Sequence, residues 1–89
     1  MIDIKVLESL NAEGMEARLS ALREAVKVAE FPEVDERMIN NHIHTFYSFS
    51  PYSPSAAVYA ARAEGLATCG IVDHDSIGGA FEFIEAGKI

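Results

Sequence analysis

The chain has three histidines, at positions 42, 44 and 74, and each lies among other groups able to bind a metal. In Asn40-Asn41-His42-Ile43-His44 one residue separates the two imidazoles. On an extended segment alternate side chains point the same way, so Asn40, His42 and His44 share a face and Ile43 takes the other. Two such positions lie about 6.7 Å apart along a strand, close enough for both rings to swing onto one ion. A His-x-His pair is unspecific by itself, and an exposed, unrelated pair is the competing reading. The second cluster is Val72-Asp73-His74-Asp75-Ser76, where an apolar strand runs into carboxylate, imidazole and carboxylate. Uncompensated burial of such groups is costly, so they pair with one another or with a cation. Asp75 and Ser76 also have an ordinary alternative role as caps of the following helix. Neutral imidazoles combined with carboxylates suit zinc, iron or manganese better than calcium or magnesium.

The elements that must position these groups are legible in the hydrophobic pattern. Met38 to His44 reads as extended. Ser53 and Pro54 open a helix as N-cap and first helical residue, and its alanine-rich body, Ser55 to Glu64, stops at Gly65. Thr68 to Val72 reads as a short buried strand. Asp75 or Ser76 then caps a helix with inner face Ile77, Phe81 and Ile84 and a stop at Gly87. Strand, helix, strand, helix is the grammar of a parallel sheet with helical cover. Both clusters fall at the carboxyl ends of predicted strands, where open sheets and barrels keep their sites.

Ahead of these units, residues 1–31 form a helical segment. Met15, Leu19, Leu22, Val26 and Ala29 share one helix face, opposite Glu16, Arg23, Glu24, Lys27 and Glu30. A shorter turn carries Ile4, Leu7 and Leu10, with a break from Asn11 to Gly14, and Phe31-Pro32 closes the long helix. Nothing in this segment suggests chemistry; it is a packing element, or a docking or oligomerisation surface. Residues 32–37 form a charged connector, and 38–89 hold the two strand–helix units. Two parallel strands alone are not a stable sheet, and Lys88-Ile89 comes where a third strand is expected. The expectation is therefore a piece of a longer polypeptide, the alternative being a small protein that dimerises to cover its edges.

Fourteen acidic residues against seven basic give a formal charge of −7. Residues 1–36 hold nine acids and four bases, and 37–89 hold five and three. With no basic patch to grip a phosphate backbone, nucleic-acid binding is not expected, and an anionic substrate would need added cations. Cys69 is the sole cysteine, which excludes an internal disulfide and a thiolate zinc cluster; it reads as a small apolar strand residue. No apolar run approaches the ~18 residues of a membrane span, and the start lacks a signal-peptide core. A cytoplasmic location is expected.

The joint pattern His42-Ile43-His44-Thr45, Ser48, Ser53-Pro54, Glu64-Gly65-Leu66 and Ile71-Val72-Asp73-His74-Asp75-Ser76, continued by Gly79-Ala80-Phe81-Glu82-Phe83, resembles the amino-terminal half-motifs of the PHP (polymerase and histidinol phosphatase) superfamily. The resemblance covers residues 38–89. It implies the first two strand–helix units of a distorted, TIM-like (βα)7 barrel, with two or three divalent metals at its carboxyl face. His42 and His44 would bind one metal and His74 a neighbouring one, while Asp73 would orient a histidine or complete the shell. The family's later ligands, a glutamate, further histidines and an Asp-x-His pair, are not in this sequence. A second departure is Phe49, which stands where many members carry an aspartate or histidine ligand; Tyr52 and Ser53 are the neighbouring alternatives. Phe46, Tyr47, Phe49 and Tyr52 either shape a substrate pocket or pack over the barrel mouth. The implied activity of the whole protein is hydrolysis of a small phosphomonoester by metal-activated water. The rivals are a non-catalytic or fragmentary scaffold and an exonuclease of the kind attached to DNA polymerases. Oligomerisation stays open.

Overall fold

A computed structural model describes residues 4–48, 51–71, 73 and 78–89. The expectations for Phe49, Val72, His74, Asp75, Ser76 and Ile77 lie outside the described residues. The order of elements is helix α1 (Ile4–Leu10), helix α2 (Met15–Val28), strand β1 (Asp35–Ile43), a 3-10 turn (Phe46–Ser48), helix α3 (Pro54–Ala63), strand β2 (Leu66–Ile71) and helix α4 (Ala80–Lys88). Strands β1 and β2 pair in parallel, so the chain is mixed α/β with two strand–helix units, as the hydrophobic pattern predicts.

The first break follows from glycine. Gly14 adopts φ +87° at the start of α2, a conformation that costs a residue without a side chain little. From there Leu19 and Leu22 reach inward to meet Leu10, Ala56 and Ala86 in the core. Helix α3 starts on Ser53, whose Oγ accepts from the Ala56 amide at 3.0 Å and donates to the Leu10 carbonyl. The Ser53 amide donates to Asn11 Oδ1 at 2.8 Å, so the α1–α2 break is fastened to the first turn of α3. Past the end of α3, Gly65 has φ +82°, and a Cβ there would lie 3.2 Å from the Glu33 carbonyl oxygen. Glycine is required on both counts, and the Gly65 carbonyl then accepts from the Asp35 amide at 2.9 Å, aligning the two strand starts.

The ladder is irregular. Asp35 faces Leu66 and Ile39 faces Thr68, then Asn40 faces Cys69 and Ile43 faces Ile71, with register shifts inside both intervals. β1 therefore carries extra residues relative to β2, and such bulges bend a strand and re-aim its side chains. The second shift spans the His42 stretch.

Four expectations need correction. β1 begins at Asp35 and not Met38, because charged side chains are tolerated on an exposed strand that pairs on one side. β2 is not a buried strand: Ala67 and Thr68 are exposed and the rest half-buried, since the helices cover one face and, among the described residues, the sheet has two strands. In α4 the expected inner residues Phe81 and Ile84 are 63% and 59% exposed, whereas Glu82 and Ala86 are buried. The cause is Glu82, which turns inward to a buried partner, Arg18, and rotates the helix with it. Gly79 holds the capping position of α4. A Cβ on Gly79 would lie 3.1 Å from Pro54 Cγ, 3.2 Å from Tyr47 Cδ2 and 3.3 Å from Ile71 Cδ1, so a side chain at this crowded entry would require its neighbours to shift by a few tenths of an ångström. Gly87 continues the helix and does not stop it. Among the described residues no helix is long and apolar enough to cross a membrane.

Candidate metal centre

Parallel pairing sets the carboxyl ends of β1 and β2 side by side, with Ile43 opposite Ile71. His42 lies exposed near the end of β1, its amide donating to Asn40 Oδ1 at 3.0 Å. His44 follows the last strand residue and is half-buried. Their ring centroids are 5.0 Å apart at an interplanar angle of 87°. A metal–imidazole bond of about 2.0–2.1 Å plus a ring radius of roughly 1.1 Å puts a ligand ring's centre ~3.2 Å from the ion, so two rings on a tetrahedral ion sit about 5.2 Å apart. The observed spacing is that of two ligands of one ion and equally that of an ordinary edge-to-face ring pair. His74, which would supply the neighbouring ligand, lies outside the described residues. Among the described residues no three His, Cys, Asp or Glu side chains form a group able to hold a metal.

Asp73, next to the end of β2, takes a definite position. Its Oδ1 accepts from the Thr45 amide and its Oδ2 from the Thr45 hydroxyl, both at 2.8 Å. Thr45 is fully buried, and its Oγ1 accepts in turn from the Tyr47 amide at 3.3 Å. The carboxylate thus ties the segment after β1, which carries His42 and His44, to the end of β2. This role for Thr45 was missed in the sequence, although the hydroxyl stands directly after His44 and a carboxylate follows the paired strand.

The aromatic loop divides. The Phe46 amide donates to the Tyr52 carbonyl at 2.7 Å, closing the loop, and the Phe46 and Tyr47 rings meet edge to face at 5.0 Å. Tyr52 packs on the core. Ser53 is a buried helix cap with its hydroxyl engaged, which removes it as a stand-in ligand. Phe46 lies over the Arg18 guanidinium, with Cζ 5.1 Å from the ring centroid.

Arg18 was not singled out in the sequence, yet it is buried beside the site. Its Nε donates to both Glu82 oxygens at 3.1 and 3.0 Å, its second terminal nitrogen to Glu82 Oε1 at 2.6 Å, and its first to the Ala12 carbonyl at 2.9 Å. Glu82 Oε2 also accepts from the Ser55 amide at 3.0 Å and the Ser55 hydroxyl at 2.8 Å. Burial pushes the Glu82 carboxyl up, but the bonds from Arg18 and Ser55 outweigh it and hold it below the ordinary glutamate range. The bond to Glu82 raises the Arg18 guanidinium against the opposing effect of burial.

Cys69 stands apart. It is half-buried, and burial raises its thiol, which opposes a nucleophilic role. It lines a cavity of about 450 Å³ together with Leu22, Val26, Phe31, Tyr59 and Ala86.

Comparison of the chain with models of protein families, with curated proteins and with solved structures gives no match.

Proposed function

We propose that this chain carries the amino-terminal metal-binding part of a PHP-type hydrolase, built on the first two units of a distorted (βα)7 barrel and acting on a small phosphomonoester. The observation that carries the proposal is the edge-to-face contact of the His42 and His44 rings, 5.0 Å apart at the end of β1, beside the strand end after which Asp73 and His74 follow in the sequence. His42 and His44 would hold one divalent ion, and His74 a second; zinc, manganese and iron suit these donors, and the complete site would take two or three ions. A divalent ion bound there would supply Lewis acidity, bringing the pKa of water from 15.7 to about 7.

The chain's own residues do the positioning. Asp73 holds the Thr45 backbone and hydroxyl, which keeps His44 beside the end of β2. Phe46 and Tyr47, each about two-fifths exposed in the turn after His44, would offer apolar surface to the organic part of a substrate. The acidic composition makes resident cations the natural counter-charge for a phosphorylated substrate.

The test is manganese content together with phosphatase turnover on p-nitrophenyl phosphate, measured for the full-length protein and its His42→Ala and His74→Ala variants. Each variant removes a proposed ligand and is expected to lose more than the about 10- to 100-fold in metal affinity that loss of an outer-shell partner costs, with turnover falling in step. Wild-type turnover in both variants would overturn the proposal.

A further inference from the structure

We infer that Arg18, on the amino-terminal helix α2, is a positioning residue for the candidate centre: clamped by Glu82, it seats the Phe46 ring and so fixes the turn that holds Thr45 between His44 and Asp73. The metal readout below rests on the proposed function; the positioning does not.

The guanidinium is engaged along its edges. Glu82 takes Nε and one terminal nitrogen, and the Ala12 carbonyl takes the other. Ser55 fixes the far oxygen of Glu82 from the first turn of α3, so the carboxylate is itself held. The cation also lies over the Phe46 ring, with Cζ 5.1 Å from the ring centroid. A planar cation with fixed edges is a rigid seat for a ring, and its attraction to the π-face strengthens away from water. Lysine would offer neither the fork nor the face.

From Phe46 the constraint passes to the site through bonds already described. Phe46 directly follows Thr45, the Tyr47 amide donates to Thr45 Oγ1, and Thr45 gives both its donors to Asp73. Glu82, Arg18, Phe46, Thr45 and Asp73 therefore form one series of contacts from α4 through α2 to both strand ends. Thr45 also directly follows His44, so a displaced turn displaces that imidazole. The competing account is that the buried ion pair fastens three helices and has no bearing on the turn. Under it, Phe46 is dispensable.

The experiment compares native-state amide exchange at Thr45 with that of the α3 amides beyond its first turn, which make no bond to Glu82, in the metal-free full-length protein. Two variants break the series at different points. Phe46→Leu leaves the ion pair whole, and Arg18→Met combined with Glu82→Gln removes both buried charges while leaving an oxygen for Ser55. Both are expected to accelerate exchange at Thr45 several-fold with the α3 amides unchanged, and Phe46→Tyr is expected to restore protection. Manganese affinity of the folded variants is expected to weaken about tenfold. Unaltered Thr45 protection in Phe46→Leu overturns the inference. So does acceleration that Thr45 and α3 share equally, which would mark a role in overall stability alone. A wild-type protein that takes up no manganese would defeat the proposed function, and Thr45 exchange would still decide the positioning role.

Discussion

The helical layer and the strand layer of this molecule are held together in different ways. Helices α2, α3 and α4 enclose an apolar interior of Leu19, Leu22, Ala56 and Ala86, and beside it a hydrogen-bonded Arg18–Glu82–Ser55 cluster. The strands bury far less: Met38 and Ile39 on β1 are 40% and 57% exposed, and the ladder between the strands is interrupted twice. What orders the sheet near the histidines is a polar tie, Thr45 to Asp73. The candidate centre thus sits on the layer with less apolar burial, and its geometry depends on directional bonds and on a turn braced from the helical side. Packing specifies a place for the site, and hydrogen bonds specify its shape.

The contrast can be broken most severely inside the helical layer. Glu82→Ala leaves the Arg18 charge buried without its partner, a change worth about 3–5 kcal/mol. In a small domain of marginal stability that loss consumes most of the folding free energy, and urea unfolding monitored by circular dichroism should show a collapsed midpoint. Acid should act on the same pair. The folded Glu82 carboxyl lies below its ordinary value of 4.5, so its stabilisation is complete above that pH and is lost as pH falls through the depressed folded value. Thermal melts at descending pH should show this acid-side loss, and the Arg18→Met, Glu82→Gln double variant should lack it. An intermediate effect is expected at the join of α1 with α3: Ser53→Ala removes both the cap and the bond to Leu10, costing about 1–2 kcal/mol in the urea midpoint. The smallest effect belongs to the strand layer, where Ile39→Thr should stay within about 0.5 kcal/mol of wild type in the same measurement. If Ile39→Thr proved as damaging as Ser53→Ala, the strand face would have to be covered in the working protein and the contrast drawn here would fail.

What could be read in the sequence was what local chemistry decides. Ser53, Pro54 and Gly65 delimit α3 because capping oxygen, fixed φ and left-handed backbone act within a few residues. The parallel arrangement followed from the alternation of strands with helices, and with it the adjacency of the two chemistry-bearing strand ends. The inner face of α4 could not be read. Periodicity treats Arg18 and Glu82 as solvent-facing, and their mutual neutralisation is a pairing between residues far apart in the chain. The start of β1 was hidden for a related reason: Asp35, Glu36 and Arg37 look like a connector, yet the Asp35 carboxylate accepts from the Arg37 amide and side chain and stays in the strand. Thr45 shows the middle case, a residue in full view whose partner lies on the neighbouring strand.

Gly79 gives the crowded entry to α4 a further significance. Its bare α-carbon is where Tyr47 from the turn, Pro54 from α3 and Ile71 from β2 come closest together. Any methyl group at that point would push on all three at once, and Tyr47, the most exposed of them, has the most room to yield. Damage from a substitution in the helix entry would therefore surface one element away, in the turn that follows His44. A position that touches none of the proposed ligands would thereby act on the segment that carries them.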